Sequence, residues 1–116
     1  MTRVFVELPS FRNAWKEMGL TDGDLRRLQE ELLADPRLGS VMQGTGGVRK
    51  MRFALENQGK SGSVRIIYVD FVIYEKLYLL TAYPKSEKDN LTKAERNELK
   101  KLVEILEAEL DRRPYL

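Results

Sequence analysis

Residues 64–83 read VRIIYVDFVIYEKLYLLTAY and form the most apolar stretch of the chain. Charged side chains interrupt this stretch at four positions, namely Arg65, Asp70, Glu75 and Lys76. A transmembrane helix needs about 20 predominantly apolar residues with few or no charges, so the stretch is a poor membrane span. Its β-branched and aromatic side chains instead predict two strands, over 64–69 and 76–83, joined by a short connection.

The segment before this stretch predicts a third strand, over residues 48–55. Met51 and Phe53 alternate there with Lys50 and Arg52, and alternate residues of a strand point to opposite faces of a sheet. One face of this strand is therefore apolar and the other is basic. Three consecutive strands with short connections predict an antiparallel meander.

Helical patterns precede the meander. After a short strand over residues 4–6, apolar residues recur at helical spacing in two segments, over 9–18 and 21–34. Gly19 is well placed to end the first helix, and Thr21 with Asp24 three residues later forms an N-cap arrangement that starts the second. Pro36 ends the second, because the residue before a proline disfavours the helical conformation.

A last helix follows the meander. Thr92 and Glu95 form a capping box at its start, and leucines at helical spacing continue the pattern toward Pro114. The predicted order of elements is β-α-α-β-β-β-α. A mostly antiparallel sheet with helices packed against it is an α+β fold, and residues 1–116 have the length of a single domain.

Composition excludes several classes of function. The 116 residues include no cysteine and no histidine. Disulfides, zinc ribbons and histidine-based catalysis are therefore excluded, and any catalysis must use carboxylates, Tyr, Lys or Arg. The acidic residues of the middle region are scattered, so we expect no metal site and no cofactor. No signal-peptide pattern opens the chain, and we expect a cytoplasmic location.

The net charge of +2 is unevenly distributed along the chain. Residues 36–88 contain nine basic and four acidic residues, a net charge of +5, between two mildly acidic flanks. A basic region of this kind is expected where one surface meets a polyanion. The same charge pattern also fits solvated loops and a sheet edge whose lysines prevent pairing with other strands. Charge alone therefore leaves both interpretations open.

The candidate functional residues of the basic region lie near the ends of the predicted strands. They are Lys50, Arg52, Arg65, Tyr83 and Lys85, with Lys88 slightly beyond. In a meander these positions can converge on one surface. Guanidinium groups grip phosphate oxygens bidentately and lysines act as point charges or proton donors, so the set suits a phosphodiester. A sheet face with solvated cations is the alternative, and the residues leave it open.

Three runs of sequence resemble a known family. They are GTGGVRKMR at 44–52, GKSGSVRIIY at 59–68 and LLTAYPKSEKDNLT at 79–92. Together they resemble the HigB-like branch of the RelE toxin superfamily, and the resemblance extends upstream through Phe11, Trp15 and Gly19. It implies a small α+β endonuclease from a type II toxin–antitoxin pair that cuts mRNA in the ribosomal A site. The implied partners are mRNA, ribosomal RNA and a cognate antitoxin, HigA-like with a helix-turn-helix, and no membrane is implied.

The resemblance also implies roles for individual residues. Lys50, Arg52, Arg65, Tyr83 and Lys85 occupy catalytic positions, and Arg49, Lys60 and Lys88 are expected to bind RNA or the ribosome. The implied reaction is metal-independent attack of a ribose 2′-hydroxyl on the adjacent phosphate. Arg65 and Arg52 would stabilise the phosphoryl charge, Lys50 or Lys85 would transfer protons, and Tyr83 would stack on a base or align the nucleotide.

Two features depart from the family pattern, and two other functions stay open. Pro84 lies between Tyr83 and Lys85, where it can redirect both, and the final helix is longer than in compact RelE proteins. A ParE-like toxin directed at DNA gyrase has the same fold, and a non-enzymatic RNA- or protein-binding module uses the same charges. We further expect Arg65 to lie on the surface, so that its replacement by alanine changes stability by less than about 1 kcal/mol.

Overall fold

The structure is a computed structural model that describes residues 2–55, 62–88 and 90–112. Its helices are α1 (Pro9–Glu17), α2 (Asp22–Ala34) and α3 (Lys93–Arg112). Its strands are β1 (Val4–Glu7), β2 (Ser40–Val41), β3 (Arg49–Phe53), β4 (Val64–Phe71) and β5 (Lys76–Pro84). A single 3-10 turn, Val72–Tyr74, connects β4 to β5. The predicted order is confirmed, with β2 as an additional short strand.

The five strands form one sheet in the order β1-β5-β4-β3-β2. The pairs β2–β3, β3–β4 and β4–β5 are antiparallel, which confirms the predicted meander. Strand β1 pairs parallel with β5. The sequence pattern missed β2, because a two-residue strand is too short to show any alternation. The α+β fold class is therefore confirmed.

The sheet separates two apolar clusters. Helices α1 and α2 pack Phe11 and Leu28 against Phe53, Ile66 and their neighbours on one face. Helix α3 packs Val103 against a second cluster on the opposite face. Strand β4 is buried on both faces, because it lies at the centre of the sheet between the two helical layers. That position explains why residues 64–71 are almost continuously apolar.

A β-bulge interrupts the pairing of β4 with β5. Ile67 lies opposite Thr81 and Tyr68 lies opposite Leu79, so that Leu80 is an extra residue on β5. Side chains alternate along a strand, and one extra residue moves every later side chain to the other face. The bulge therefore determines which face the end of β5 presents.

Local signals place the helix ends where the sequence predicted them. Thr21 and Asp24 form a reciprocal capping box at the start of α2, and α2 ends two residues before Pro36. Gly19 follows α1 with a φ of 71°, a left-handed conformation that glycine adopts without steric strain. Pro114 lies outside the described residues. Within the described ranges, no helix is long and apolar enough to cross a membrane.

The hydroxyl of Tyr68 ties the loop after α2 to the centre of the sheet. It accepts a hydrogen bond from the backbone N–H of Gly39 and donates one to the carbonyl of Pro36, both at 2.8 Å. A Cβ at Gly39 would lie 2.9 Å from both the Lys50 carbonyl oxygen and the Tyr68 ring. The loop is therefore packed too closely on β3 and β4 to admit a side chain at Gly39. Burial raises the pKa of the Tyr68 hydroxyl, which keeps it protonated as a donor.

Replacing Tyr68 by phenylalanine tests this connection. Tyr68→Phe removes the partners of a buried N–H and a buried carbonyl, so we expect a loss of about 1–3 kcal/mol in unfolding free energy. Urea denaturation of both proteins measures it. Tyr78→Phe removes a hydroxyl from a half-buried ring on β5 and is the matched control. Equal midpoints for Tyr68→Phe and the wild type would show that the hydroxyl contributes nothing.

Candidate nucleic-acid interface

Three of the predicted site residues lie in one line across the sheet. In the β3–β4 pairing Arg52 lies opposite Arg65, and in the β4–β5 pairing Arg65 lies opposite Tyr83. Residues directly opposite each other share a face, with Cβ atoms about 4.5–5.5 Å apart. This cross-strand row, Arg52-Arg65-Tyr83, lies on the face that α3 covers further along the sheet, since Tyr83 belongs to the cluster under α3.

The members of the row differ in exposure. Arg52 is exposed, whereas Arg65 is 9% exposed and Tyr83 is 5% exposed. The expectation of a surface position for Arg65 is therefore wrong: it is the second residue of a strand at the centre of the sheet, flanked on both sides. Its replacement by alanine removes a large buried side chain, so we now expect a larger loss of stability than a surface position would give. The burial of the Tyr83 ring likewise leaves no open face for stacking on a base.

Lys50 and Lys85 lie on opposite sides of the row. Lys50 precedes Arg52 by two residues on β3, and Lys85 follows Tyr83 by two residues after β5. Pro84 does not redirect the chain, because the Lys85 N–H donates to the Ser63 carbonyl at 3.3 Å and continues the pairing by one residue. Lys50 Nζ donates to Asn90 Oδ1 at 3.0 Å. The basic face predicted for residues 48–55 is thus present, and the loop before α3 contacts it.

Lys88 connects the row to the start of α3. Its Nζ lies 5.4 Å from the centroid of the Tyr83 ring, a cation–π distance, and 2.6 Å from Glu95 Oε2. Glu95 Oε1 accepts the Thr92 N–H at 2.9 Å, and Thr92 Oγ1 accepts the Glu95 N–H at 3.1 Å. One carboxylate therefore closes the predicted capping box and also holds Lys88 over the row.

The Lys88–Glu95 contact shifts both pKa values. The hydrogen bond to Glu95 raises the pKa of the Lys88 ammonium. The hydrogen bond from Lys88, and after it the one from the Thr92 backbone, lower the pKa of the Glu95 carboxyl. The pair is therefore charged over a wide range around neutral pH.

One other predicted RNA-binding residue, Arg49, does not join the row. Arg49 lies on the opposite face of β3 from Lys50, and its Nη1 donates to the Gly39 carbonyl at 2.7 Å. Arg49 therefore contacts the loop after α2 and lies on the other face from the row, and its predicted RNA-binding role stays a prediction. Lys60 lies outside the described residues.

Sequence reasoning missed the part that Glu95 and Asn90 play at this surface. The capping box identified Glu95 as a helix-starting residue, but nothing local indicated that its second oxygen binds Lys88. In the part of the chain that the structure describes, no three acidic side chains cluster in a way that could hold a metal ion. The surface is thus a row of cations and a phenol, with Glu95 holding Lys88 at its edge.

Comparisons with known proteins agree with this architecture. Residues 2–113 match the family model described as "RelE toxin of RelE / RelB toxin-antitoxin system". The fold is similar to that of a mutant of E. coli toxin RelE in the free state, with a TM-score of 0.51 at 16% sequence identity. That similarity covers 77% of this chain and 90% of the other. At such identity the structural likeness supports the fold alone.

The dual role of Glu95 leads to a prediction about pH. Glutamine also closes a capping box but cannot form the ion pair, so Glu95→Gln lowers stability at pH 7 by at most about 1 kcal/mol. The pKa of Glu95 is lowered on folding, so its contribution is present above the unfolded-state pKa and is lost as the pH falls through the folded-state value.

Thermal melts of both proteins from pH 7 to pH 2 measure this effect. The difference in Tm is expected to shrink toward zero at the acidic end, while the exposed Glu98→Gln control shows no such pair-dependent change. A difference in Tm that is constant with pH would show that the Lys88–Glu95 contact does not affect stability.

Proposed function

The chain belongs to the RelE toxin family of toxin–antitoxin systems, and from this premise we propose that it is a ribosome-dependent mRNA endonuclease. Family membership gives it an antitoxin as partner. The observation that carries the proposal is the row Arg52-Arg65-Tyr83, with Lys50 and Lys85 on either side of it. Cations and a phenol in register on one sheet face suit a phosphodiester held for attack.

We further propose the HigB-like branch within this family. The support is the set of three sequence runs at 44–52, 59–68 and 79–92. On this assignment the antitoxin is HigA-like with a helix-turn-helix, and the substrate is mRNA in the ribosomal A site, next to ribosomal RNA. Action on ribosomes places the protein in the cytoplasm.

The proposed reaction is an internal displacement at phosphorus. The ribose 2′-oxygen forms a bond to the adjacent phosphorus, and the bond from that phosphorus to the 5′-oxygen of the next nucleotide breaks. The 2′-hydroxyl gives its proton to a base, and the leaving 5′-oxygen receives a proton from an acid. The products are a 2′,3′-cyclic phosphate and a 5′-hydroxyl, so atoms and charge balance with no further reactant.

The positions of the two lysines fit this displacement. Strands β3 and β5 run in the same direction, because each is antiparallel to β4. Lys50 lies two residues before the row and Lys85 two residues after it, about 14 Å apart along the strand direction at 3.4 Å per residue. An in-line displacement needs proton transfer on opposite sides of the phosphorus, and long lysine side chains on both sides of the row can supply it.

In the proposal the two arginines hold the phosphate between the lysines, and Tyr83 packs beside them. Arg65 is buried and therefore fixed in direction, which favours a preorganised contact with the non-bridging oxygens. Arg52 is exposed and reaches the same phosphate from the neighbouring strand. With the Tyr83 ring buried, the proposal gives this residue the alignment role and not the stacking role.

Arg65→Lys separates catalysis from fold at this site. Lysine keeps a positive charge on a long side chain but cannot make the bidentate contact, so we expect a loss of about 100–1000-fold in the single-turnover cleavage rate. Programmed ribosomes and a defined message serve as the substrate. Circular dichroism and antitoxin binding establish that the variant is folded. A folded Arg65→Lys that cleaves at the wild-type rate contradicts the assignment.

Arg52→Ala makes a complementary prediction. Like charges directly opposite each other on neighbouring strands are destabilising, and Arg52 is exposed opposite Arg65. We expect the variant to be as stable as the wild type or up to about 1 kcal/mol more stable, while cleavage falls at least tenfold. Urea denaturation and single-turnover cleavage measure the two effects, with the exposed Lys101→Ala as control. A variant that loses stability and keeps its activity would show that Arg52 has a structural role and no catalytic one.

The overall function has a direct test against its alternatives. Primer extension on mRNA from a translating extract, with and without the purified protein, is expected to show new 5′ ends within the translated message. Intact message together with inhibited DNA supercoiling would overturn the nuclease in favour of a gyrase-directed toxin. Retention of RNA without scission would overturn it in favour of a binding module.

A further inference from the structure

A polar groove adjoins the row on the side of Lys50. It consists of two neighbouring cavities of about 190 and 210 Å³, which share Gln43 and Arg96 in their walls. Lys50 and Asn90 line the cavity next to the row. Gly44, Lys93 and Asn97 line the far cavity. The groove therefore runs from β3, between the turn after β2 and the first turns of α3.

We propose that this groove binds the RNA strand next to the cleaved phosphodiester, a proposal that rests on the proposed function. Lys50, Lys93 and Arg96 supply three positive charges along its walls, and no carboxylate of a described residue lines it. The side-chain amides of Gln43 and Asn97 add donors and acceptors for base edges and ribose hydroxyls. Cations with interspersed amides match a single-stranded phosphodiester backbone.

The distance from the row supports a continuous strand. Lys50 precedes Arg52 by two residues, about 7 Å along an extended strand. A phosphate held at Arg52 and Arg65 thus has its neighbouring nucleotide at Lys50, where the groove begins. Met42 and Leu91 give the near cavity an apolar wall on which a ribose or base can pack. The exposed hydrogen bond from Lys50 to Asn90 is one that an incoming phosphate can replace.

The placement of Lys93 and Arg96 supports a binding role over a structural one. Lys93 is the first residue of α3 and Arg96 the fourth. Cations near a helix N-terminus oppose the helix dipole, and acidic residues are preferred there. These two charges therefore do not stabilise the helix that carries them. Their charges are therefore available to an anionic ligand that enters the groove.

The test measures binding separately from cleavage. The probe is a single-stranded RNA of nine nucleotides, methylated at every 2′-oxygen so that it cannot be cut, and fluorescence anisotropy is recorded over a salt series. For Lys93→Ala and Arg96→Ala we expect binding to weaken about three- to tenfold, with the slope of log Kd against log salt smaller by about 0.7 per lost phosphate contact. Arg96→Lys is expected to keep most of the slope.

Matched controls remove one lysine and one arginine charge from the helices on the other face of the sheet. Lys16→Ala on α1 and Arg26→Ala on α2 change exposed residues and are expected to leave affinity and salt slope unchanged. Thermal melts accompany all variants, and those of Lys93→Ala and Arg96→Ala are expected at or above the wild-type Tm. A carboxylate introduced by Gln43→Glu is expected to weaken binding without removing any cation.

Two results would overturn the proposal. Groove variants that bind the RNA as the controls do would show that the groove does not hold the strand. Variants that bind the RNA normally but lose affinity for ribosomes without message would assign the groove to ribosomal RNA. A wild-type protein that binds the probe through the groove but never cuts message would instead overturn the proposed function and leave the groove standing.

Discussion

The pairing of β4 with β5, with one extra residue at Leu80, is the constraint on which the surface depends. Before the bulge, Tyr78 faces α3, and strict alternation from that position would turn Tyr83 toward α1 and α2. Because Leu80 is inserted, Tyr83 faces α3 and lies in line with Arg65. Ala82, a small residue, then fills the position in the other cluster. A single irregularity in the ladder therefore assembles the row.

The sheet face that carries the row has an apolar part and a basic part. Under α3 it is apolar, with Ile67, Val69 and Leu80 packed against the helix. Beyond the first turn of α3 it becomes basic. The boundary is formed by Glu95, whose carboxylate starts the helix through Thr92 and holds Lys88 over the Tyr83 ring. The position of the helix start and the position of a cation at the row are thus set by one side chain.

The sequence predicted the features that depend on local chemistry. Alternation in residues 48–55 separated the apolar from the basic face of β3, and the capping boxes at Thr21 and Thr92 located two helix starts correctly. The order of elements followed from these signals, because short connections limit the topology. The convergence of the strand ends at Arg52, Arg65 and Tyr83 was also foreseen.

Features that depend on pairing between distant residues were not predictable. The bulge has no local signature, since Leu79 and Leu80 are both apolar and both buried. Arg65 is buried because β4 lies at the centre of the sheet. The sequence of β4, with one charged residue near its start, does not show that the strand is central. The contact between Lys88 and Glu95 spans a loop, where no helical spacing rule applies. The separation of Arg49 from Lys50 was not foreseen either, because a basic run does not show which of its members lies on which face of the sheet.

The contrast between the two arginines has a physical consequence. Removing a guanidinium from water is unfavourable, so the fold must hold Arg65 against that cost, and in return its direction is fixed by the surrounding strands. In a less polar environment its attraction for a phosphate oxygen is stronger than at the surface, and little reorganisation is needed when charge develops. Arg52 is exposed on the neighbouring strand. On the proposed function, the buried Arg65 would hold the phosphate in one direction and the exposed Arg52 would adjust to it as its geometry changes. Two buried arginines directly opposite each other would repel each other much more strongly.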